Sequence, residues 1–254
     1  MKLAAQTYTI RNFIKNPSDI NQSLIKLKDI GYNAIQISAM GECDPLWLKD
    51  LLSQLKMQVC ATHTPIDEIV YDTDKVIAKH KILGTKYVGI GWNPIFSLEE
   101  VDEFCKKLLP ASQKLRDNGL MLLCHNHAQE FIKESGELLL DRLLSSFSSD
   151  SFGLIADFYW IQRAGLSPEK FIKTYGDRMP VVHFKDMRSL KDLSKGFQCA
   201  EIFEGNMDYE SIYKSCIKAG VEWAVVEQDE CDGDPFDSLK LSLVNLKKHN
   251  MFDL

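Results

Sequence analysis

The apolar run Leu122, Leu123, Cys124 stops at His125, Asn126 and His127, and a carboxylate, Glu130, follows after two residues. Three other stretches set an ionisable group directly against an apolar run. They are Asp157 in "LIADFYW", His183 in "VVHFKD" and Glu227 in "AVVEQD". A carboxylate enclosed by that much apolar sequence is expected to be buried, and buried carboxylates are paired or bound to a cation. A convergent set of Asp, His and Glu gives hard oxygen ligands with imidazole, a combination suited to Mn²⁺, Mg²⁺, Co²⁺ or Zn²⁺. His125 taken by itself reads as a hydrogen-bonded rim histidine rather than a ligand. Lys185 lies two residues after His183 and so on the same strand face, where it can donate to a developing oxyanion. Asp186 and Gln228 face the other way and read as structural.

These residues share a position because of the elements that carry them. Eight β-rich runs alternate with helical patterns: 2–9, 34–38, 57–63, 86–92, 120–126, 152–158, 181–186 and 223–229. Between them, apolar residues recur at helical spacing, as in Leu24, Leu27 and Ile30, or Leu48, Leu51, Leu52 and Leu55. Ser97 with Glu100 forms a capping box, and Ser167 before Pro168 marks a helix start. Strands that are nearly continuous apolar runs suit a parallel sheet covered by helices. No linker or composition shift divides residues 1–254, so the pattern predicts one α/β domain, a single (β/α)₈ TIM barrel. A doubly wound sheet would carry GxGxxG after its first strand, and this chain does not. In a (β/α)₈ barrel the active site lies at the C-terminal strand ends. The third strand ends in His63, the fourth in Trp92 and Asn93, the fifth in His125, His127 and Glu130, the sixth in Asp157, the seventh in His183 and Lys185, and the eighth in Glu227 and Asp229.

The formal charge of −6 and pI near 5.6 argue against nucleic acid or an anionic membrane as partner. Seven cysteines, odd in number and without a CxxC pair, read as reduced thiols in the cytoplasm. The N-terminus is too polar for a signal peptide, and no apolar run reaches the roughly 20 residues of a membrane span.

"CATHTP", "HNHAQEF", "LIADFYWIQRAG", "VVHFKD", "EGNMDY" and "VVEQD", in this order, resemble the xylose isomerase-like barrel superfamily, in particular its sugar phosphate isomerase/epimerase branch. The resemblance implies one divalent cation, Mn²⁺ first, held by Glu130, Asp157, His183 and Glu227, with His127 the alternative to Glu130. It also implies Glu130 and Glu227 as an acid/base pair working through an enediolate, assisted by Lys185. His63, Trp92 and His127 would line a sugar pocket, joined by Arg188 after the seventh strand. A metal-dependent dehydratase or lyase of a keto-sugar or keto-inositol would use the same centre, and a non-catalytic sugar-binding barrel would keep only the pocket. Relatives of this kind are often homo-oligomers, dimers or tetramers. The loop "EQDECDGDPFD", with Asp229, Glu230, Asp232, Asp234 and Asp237, predicts a neutral sugar rather than a phosphorylated one, against Arg188 and Lys191 on the other side.

Overall fold

The structure, a computed structural model, describes residues 1–192, 194 and 196–252. Its strands in chain order are β1 (Lys2–Gln6), β2 (Ala34–Ile37), β3 (Gln58–His63), β4 (Tyr87–Ile90), β5 (Met121–His125), β6 (Lys133–Glu134), β7 (Glu137–Leu138), β8 (Phe152–Asp157), β9 (Val181–Phe184), β10 (Asp186–Ser189), β11 (Phe197–Ala200) and β12 (Trp223–Val226). Eight of them close a barrel in the order β1-β12-β9-β8-β5-β4-β3-β2, all neighbours parallel. The expected (β/α)₈ barrel is present. β6–β7 and β10–β11 are separate antiparallel ribbons inserted after the fifth and seventh barrel strands.

Alternation along each strand sends one set of side chains into the barrel and the other toward the helices. The interior set is compact: Ala4, Ala34, Cys60 and Ala61 fit against Leu123, Ile155, Val181 and Val225. The outer set meets the helices through residues such as Leu24, Leu27, Leu108, Leu115 and Leu243. Each fully buried aliphatic side chain contributes about 1.5–3 kcal/mol. Helix starts follow the local sequence. Ser97 accepts from the Glu100 N–H at 3.2 Å, and Ser167 accepts from the Lys170 N–H at 3.3 Å. The Glu100 carboxylate returns to the Phe96 N–H, at 2.7 Å, one residue before the expected partner.

Several barrel strands stop short of their expected ends, and two of these stops redirect the chain at the barrel mouth. After Gln6 the chain enters a 3₁₀ turn (Thr7–Phe13), and after Phe184 it leaves the barrel for the β10–β11 ribbon. Asp186 anchors that ribbon as expected of a structural residue. Its buried carboxylate accepts from the N–H groups of Met187, Phe203, Gly205 and Met207 at 2.7–3.2 Å. Gly205 is required there, because a Cβ would collide with the same carboxylate. All seven cysteines are free. Among the described residues no helix is long and apolar enough to cross a membrane.

Candidate active site

At the C-terminal mouth of the barrel, one ligand atom from each of His125, Asp157, His183 and Glu227 lies within 4.8 Å of the other three, and all four residues are buried. They come from the ends of β5, β8 and β9 and from the residue after β12. His125 Nε2 is 3.2 Å from Asp157 Oδ2, and His183 Nδ1 is 2.8 Å from Glu227 Oε2 and 3.7 Å from Asp157 Oδ2.

Neighbours fix each of these side chains. His183 Nε2 meets Gln36 Oε1 at 2.9 Å, so Gln36 holds the ring with Nδ1 turned toward the carboxylates. A second partner of this kind orients a metal-binding imidazole. Asp157 Oδ1 accepts from the Trp160 N–H at 3.2 Å, and the Asp157 N–H donates to Asn126 Oδ1 at 2.9 Å. Lys185 Nζ stands 3.0 Å from Asp157 Oδ2, from Glu227 Oε2 and from Asp229 Oδ2. That buried ammonium neutralises part of a three-carboxylate cluster.

The electrostatics follow from burial against pairing. Burial would raise Glu227, but Lys185 and then His183 hold its carboxyl well below the ordinary range. Burial opposes the charge on Lys185 too, yet Asp157, Glu227 and Asp229 raise it well above the usual amine value. Burial would lower His183; the Glu227 and Asp157 carboxylates reverse this and raise it to about 9. A cation bound at Nδ1 must displace that proton, so affinity should rise with pH. Burial lowers His127 to about 3.

The donor set fits a divalent cation. His183 Nδ1 and Glu227 Oε2 face each other at 2.8 Å, Asp157 Oδ2 faces His125 Nε2 at 3.2 Å, and the four ligand atoms converge on one buried spot that a single cation could share. Two imidazoles with two carboxylates suit Mn²⁺, Co²⁺ or Zn²⁺ better than Mg²⁺, which prefers an all-oxygen octahedron.

Above the cluster lies a cavity of about 820 Å³ whose lining includes Tyr8, His63, Trp92, His127, Trp160 and Lys185. His63, Trp92 and His127 are therefore where the sequence placed them. Two residues are not. Glu130 is buried but outside the cluster, and the position expected for it belongs to His125, which is a member of the group rather than a rim histidine. The reason lies in the short turn after β5: Glu130 Oε2 folds back to accept from the His127 N–H at 2.9 Å, beside Cys124 and Asn93. His127, the alternative ligand, lines the cavity instead. Arg188 is not in the cavity lining; its guanidinium pairs with Asp232 on the loop after β12. Gln36 went unnoticed in the sequence, although a glutamine in the centre of the buried run "AIQIS" was its signal.

Fold and site together define a barrel with a buried, cation-suited centre at its mouth. The chain belongs to the xylose isomerase-like TIM barrel family, whose model matches residues 24–247. It is similar to an inosose dehydratase of Lacticaseibacillus casei, with 21% identity over 259 aligned residues that cover 85% of each chain. Among solved structures it is similar in fold to a sugar phosphate isomerase/epimerase from Parabacteroides distasonis. That match has a TM-score of 0.81 and 18% identity, and covers 97% of this chain and 93% of the other. It is also similar in fold to the IOLI protein solved with a zinc atom, with TM-score 0.74, 16% identity and full coverage of both chains.

Proposed function

We propose that the protein is a divalent-metal-dependent dehydratase of a cyclic keto-polyol, the inosose class, rather than an isomerase or epimerase. The observation that carries this reading is the absence of a second glutamate from the centre: Glu130 lies outside it and His125 lies within. Epimerisation through an enediolate uses one group to remove the carbon-bound proton on one face and another to return it on the opposite face. Elimination of water needs one base and one donor to the departing hydroxyl. Glu227 and Lys185 supply that pair. The similarity to an inosose dehydratase supports the same choice.

A divalent cation held by His125, Asp157, His183 and Glu227 would polarise the substrate carbonyl and stabilise the enolate. Glu227 takes the proton from the carbon next to the carbonyl. The bond from the β-carbon to its hydroxyl then breaks, and the oxygen leaves as water with a proton from Lys185 Nζ. Lys185 recovers that proton from Glu227, whose Oε2 is 3.0 Å from Nζ, so the residues return to their starting state. Trp92, 55% exposed at the mouth, gives a flat apolar wall for a ring, and His127 follows the neighbouring strand β5. The substrate is neutral in this reading, because Lys185 is engaged by three carboxylates, Arg188 by Asp232, and Arg163 in the lining packs on the Tyr159 and Trp160 rings and donates to the Tyr159 hydroxyl.

The test is a panel of inososes and open-chain ketoses incubated with protein loaded with Mn²⁺, Co²⁺ or Zn²⁺. A product one water lighter than an inosose is expected. A product of unchanged mass would move the protein to the isomerases.

A further inference from the structure

His63 closes β3 and faces the cavity beside the cluster, with its ring centroid 5.5 Å from that of His125 and 5.8 Å from that of His183. Its Nε2 is buried and has no hydrogen-bond partner among the described residues. Its Nδ1 meets Ser38 Oγ at 3.0 Å. Ser38 is in turn fixed at both backbone groups by one side chain. Thr7 Oγ1 accepts from the Ser38 N–H and donates to the Ser38 carbonyl, each at 2.8 Å. The next residue, Ala39, holds φ at +51°, a left-handed conformation that alanine adopts only when its surroundings require it. On the ring's other side, β4 and the residue after it leave a slot: a Cβ on Gly91 would stand 2.7 Å from His63 Nδ1. Four separate features thus converge on the orientation of one imidazole.

We propose that Thr7 and Ser38 form a support that presents His63 Nε2 to a substrate oxygen beside the four-residue cluster, with Ser38 as the positioning residue. Only the identity of that oxygen, a hydroxyl or the carbonyl of a keto-polyol, rests on the dehydratase reading. The choice of a hydroxyl as the partner of Nδ1 has a consequence. A backbone carbonyl or a carboxylate there would hold the proton on Nδ1 and leave Nε2 a permanent acceptor. The Ser38 hydroxyl either accepts from Nδ1–H or, by rotating, donates to a bare Nδ1. His63 Nε2 can therefore offer a lone pair to a substrate hydroxyl or an N–H to a carbonyl or oxyanion. The ring sits among His125 and His183 at the mouth of the cation site, where a further positive charge is disfavoured, so it meets substrate as a neutral group. A neutral imidazole aimed at a substrate oxygen is the device that triosephosphate isomerase uses to polarise a carbonyl.

The test compares wild type with Ser38→Ala and Ser38→Thr, using ¹⁵N imidazole resonances, metal content and turnover of inosose. All three proteins should bind the same amount of metal. The His63 Nδ1 resonance should move in Ser38→Ala and keep its wild-type position in Ser38→Thr. Ser38→Ala should lose about tenfold in kcat with KM within about twofold, and Ser38→Thr should restore it. An unmoved Nδ1 resonance in folded Ser38→Ala, or an unchanged kcat, overturns the proposal. If wild type binds metal but does not turn over inosose, the dehydratase reading fails alone. The resonance comparison still supports or overturns the Ser38–His63 support.

Discussion

Glu227 and Glu130 are both buried glutamates carried by the mouth of the same barrel, and their surroundings push them in opposite directions. Glu227 is 3.0 Å from the Lys185 ammonium and 2.8 Å from His183 Nδ1, and it stays ionised. Glu130 has no cation beside it among the described residues; burial raises it to about 7, against the N–H groups of its own residue and of His127. Burial is common to the two, so burial does not make a ligand. What separates them is the complement of charges and rings brought by other strands, here β8 and β9. Glu130 instead shapes the loop that carries His127.

The largest contrast expected from this comparison is in turnover. Glu227→Gln removes a base and a ligand charge and should lower kcat on inosose by several orders of magnitude, about 10⁴-fold. Glu130→Gln can still accept from the His127 N–H and should stay within about tenfold of wild type. Equal losses in steady-state kinetics would erase the distinction between the two residues.

Next in size is stability without metal. Lys185→Met leaves the three carboxylates Asp157, Glu227 and Asp229 with His183 as their remaining counter-charge, and urea unfolding with a chelator present should show a loss of about 3–5 kcal/mol. Added divalent cation should recover part of it. A variant as stable as wild type would mean that the ammonium is not the counter-charge of this cluster.

The third contrast is in pH dependence. The Glu130 carboxyl is raised from 4.5 to about 7 in the folded chain, so its contribution is fully present below about pH 4.5 and is lost as pH rises through 7. Glu130→Gln lacks this dependence. Its stability relative to wild type should therefore improve by up to about 3 kcal/mol between pH 4.5 and pH 9. Parallel unfolding curves at the two pH values would place the carboxyl in a less apolar setting. Smaller still, Gln36→Leu frees the His183 ring and should weaken cation binding about 10–100-fold by titration calorimetry.

Much of this was legible before any coordinates. The eight strands read as apolar runs because both faces of a parallel barrel strand are covered, and Asp157, His183 and Glu227 stood out as polar interruptions of those runs. His125 and Glu130 were exchanged for a local reason. His125 is the last residue of β5 and Glu130 comes five residues later, and the geometry of the intervening turn, which folds Glu130 back on the His127 N–H, is not readable from spacing. Arg188 was misplaced because its ribbon, β10–β11, is set by pairing across Asp186–Ala200, a register that sequence spacing does not reveal. Thr7 and Ser38 drew no notice, since hydroxyl residues at strand ends are common and their mutual bonds link positions 31 residues apart.

The central claim is that the cation site is His125, Asp157, His183 and Glu227, with Glu130 outside it. Elemental analysis of wild type, Glu227→Gln and Glu130→Gln, purified together and reloaded with the same divalent metal, tests this most directly. About one cation per chain is expected in wild type and Glu130→Gln, with strongly reduced occupancy in Glu227→Gln. Loss of the metal from Glu130→Gln with retention in Glu227→Gln would contradict the account.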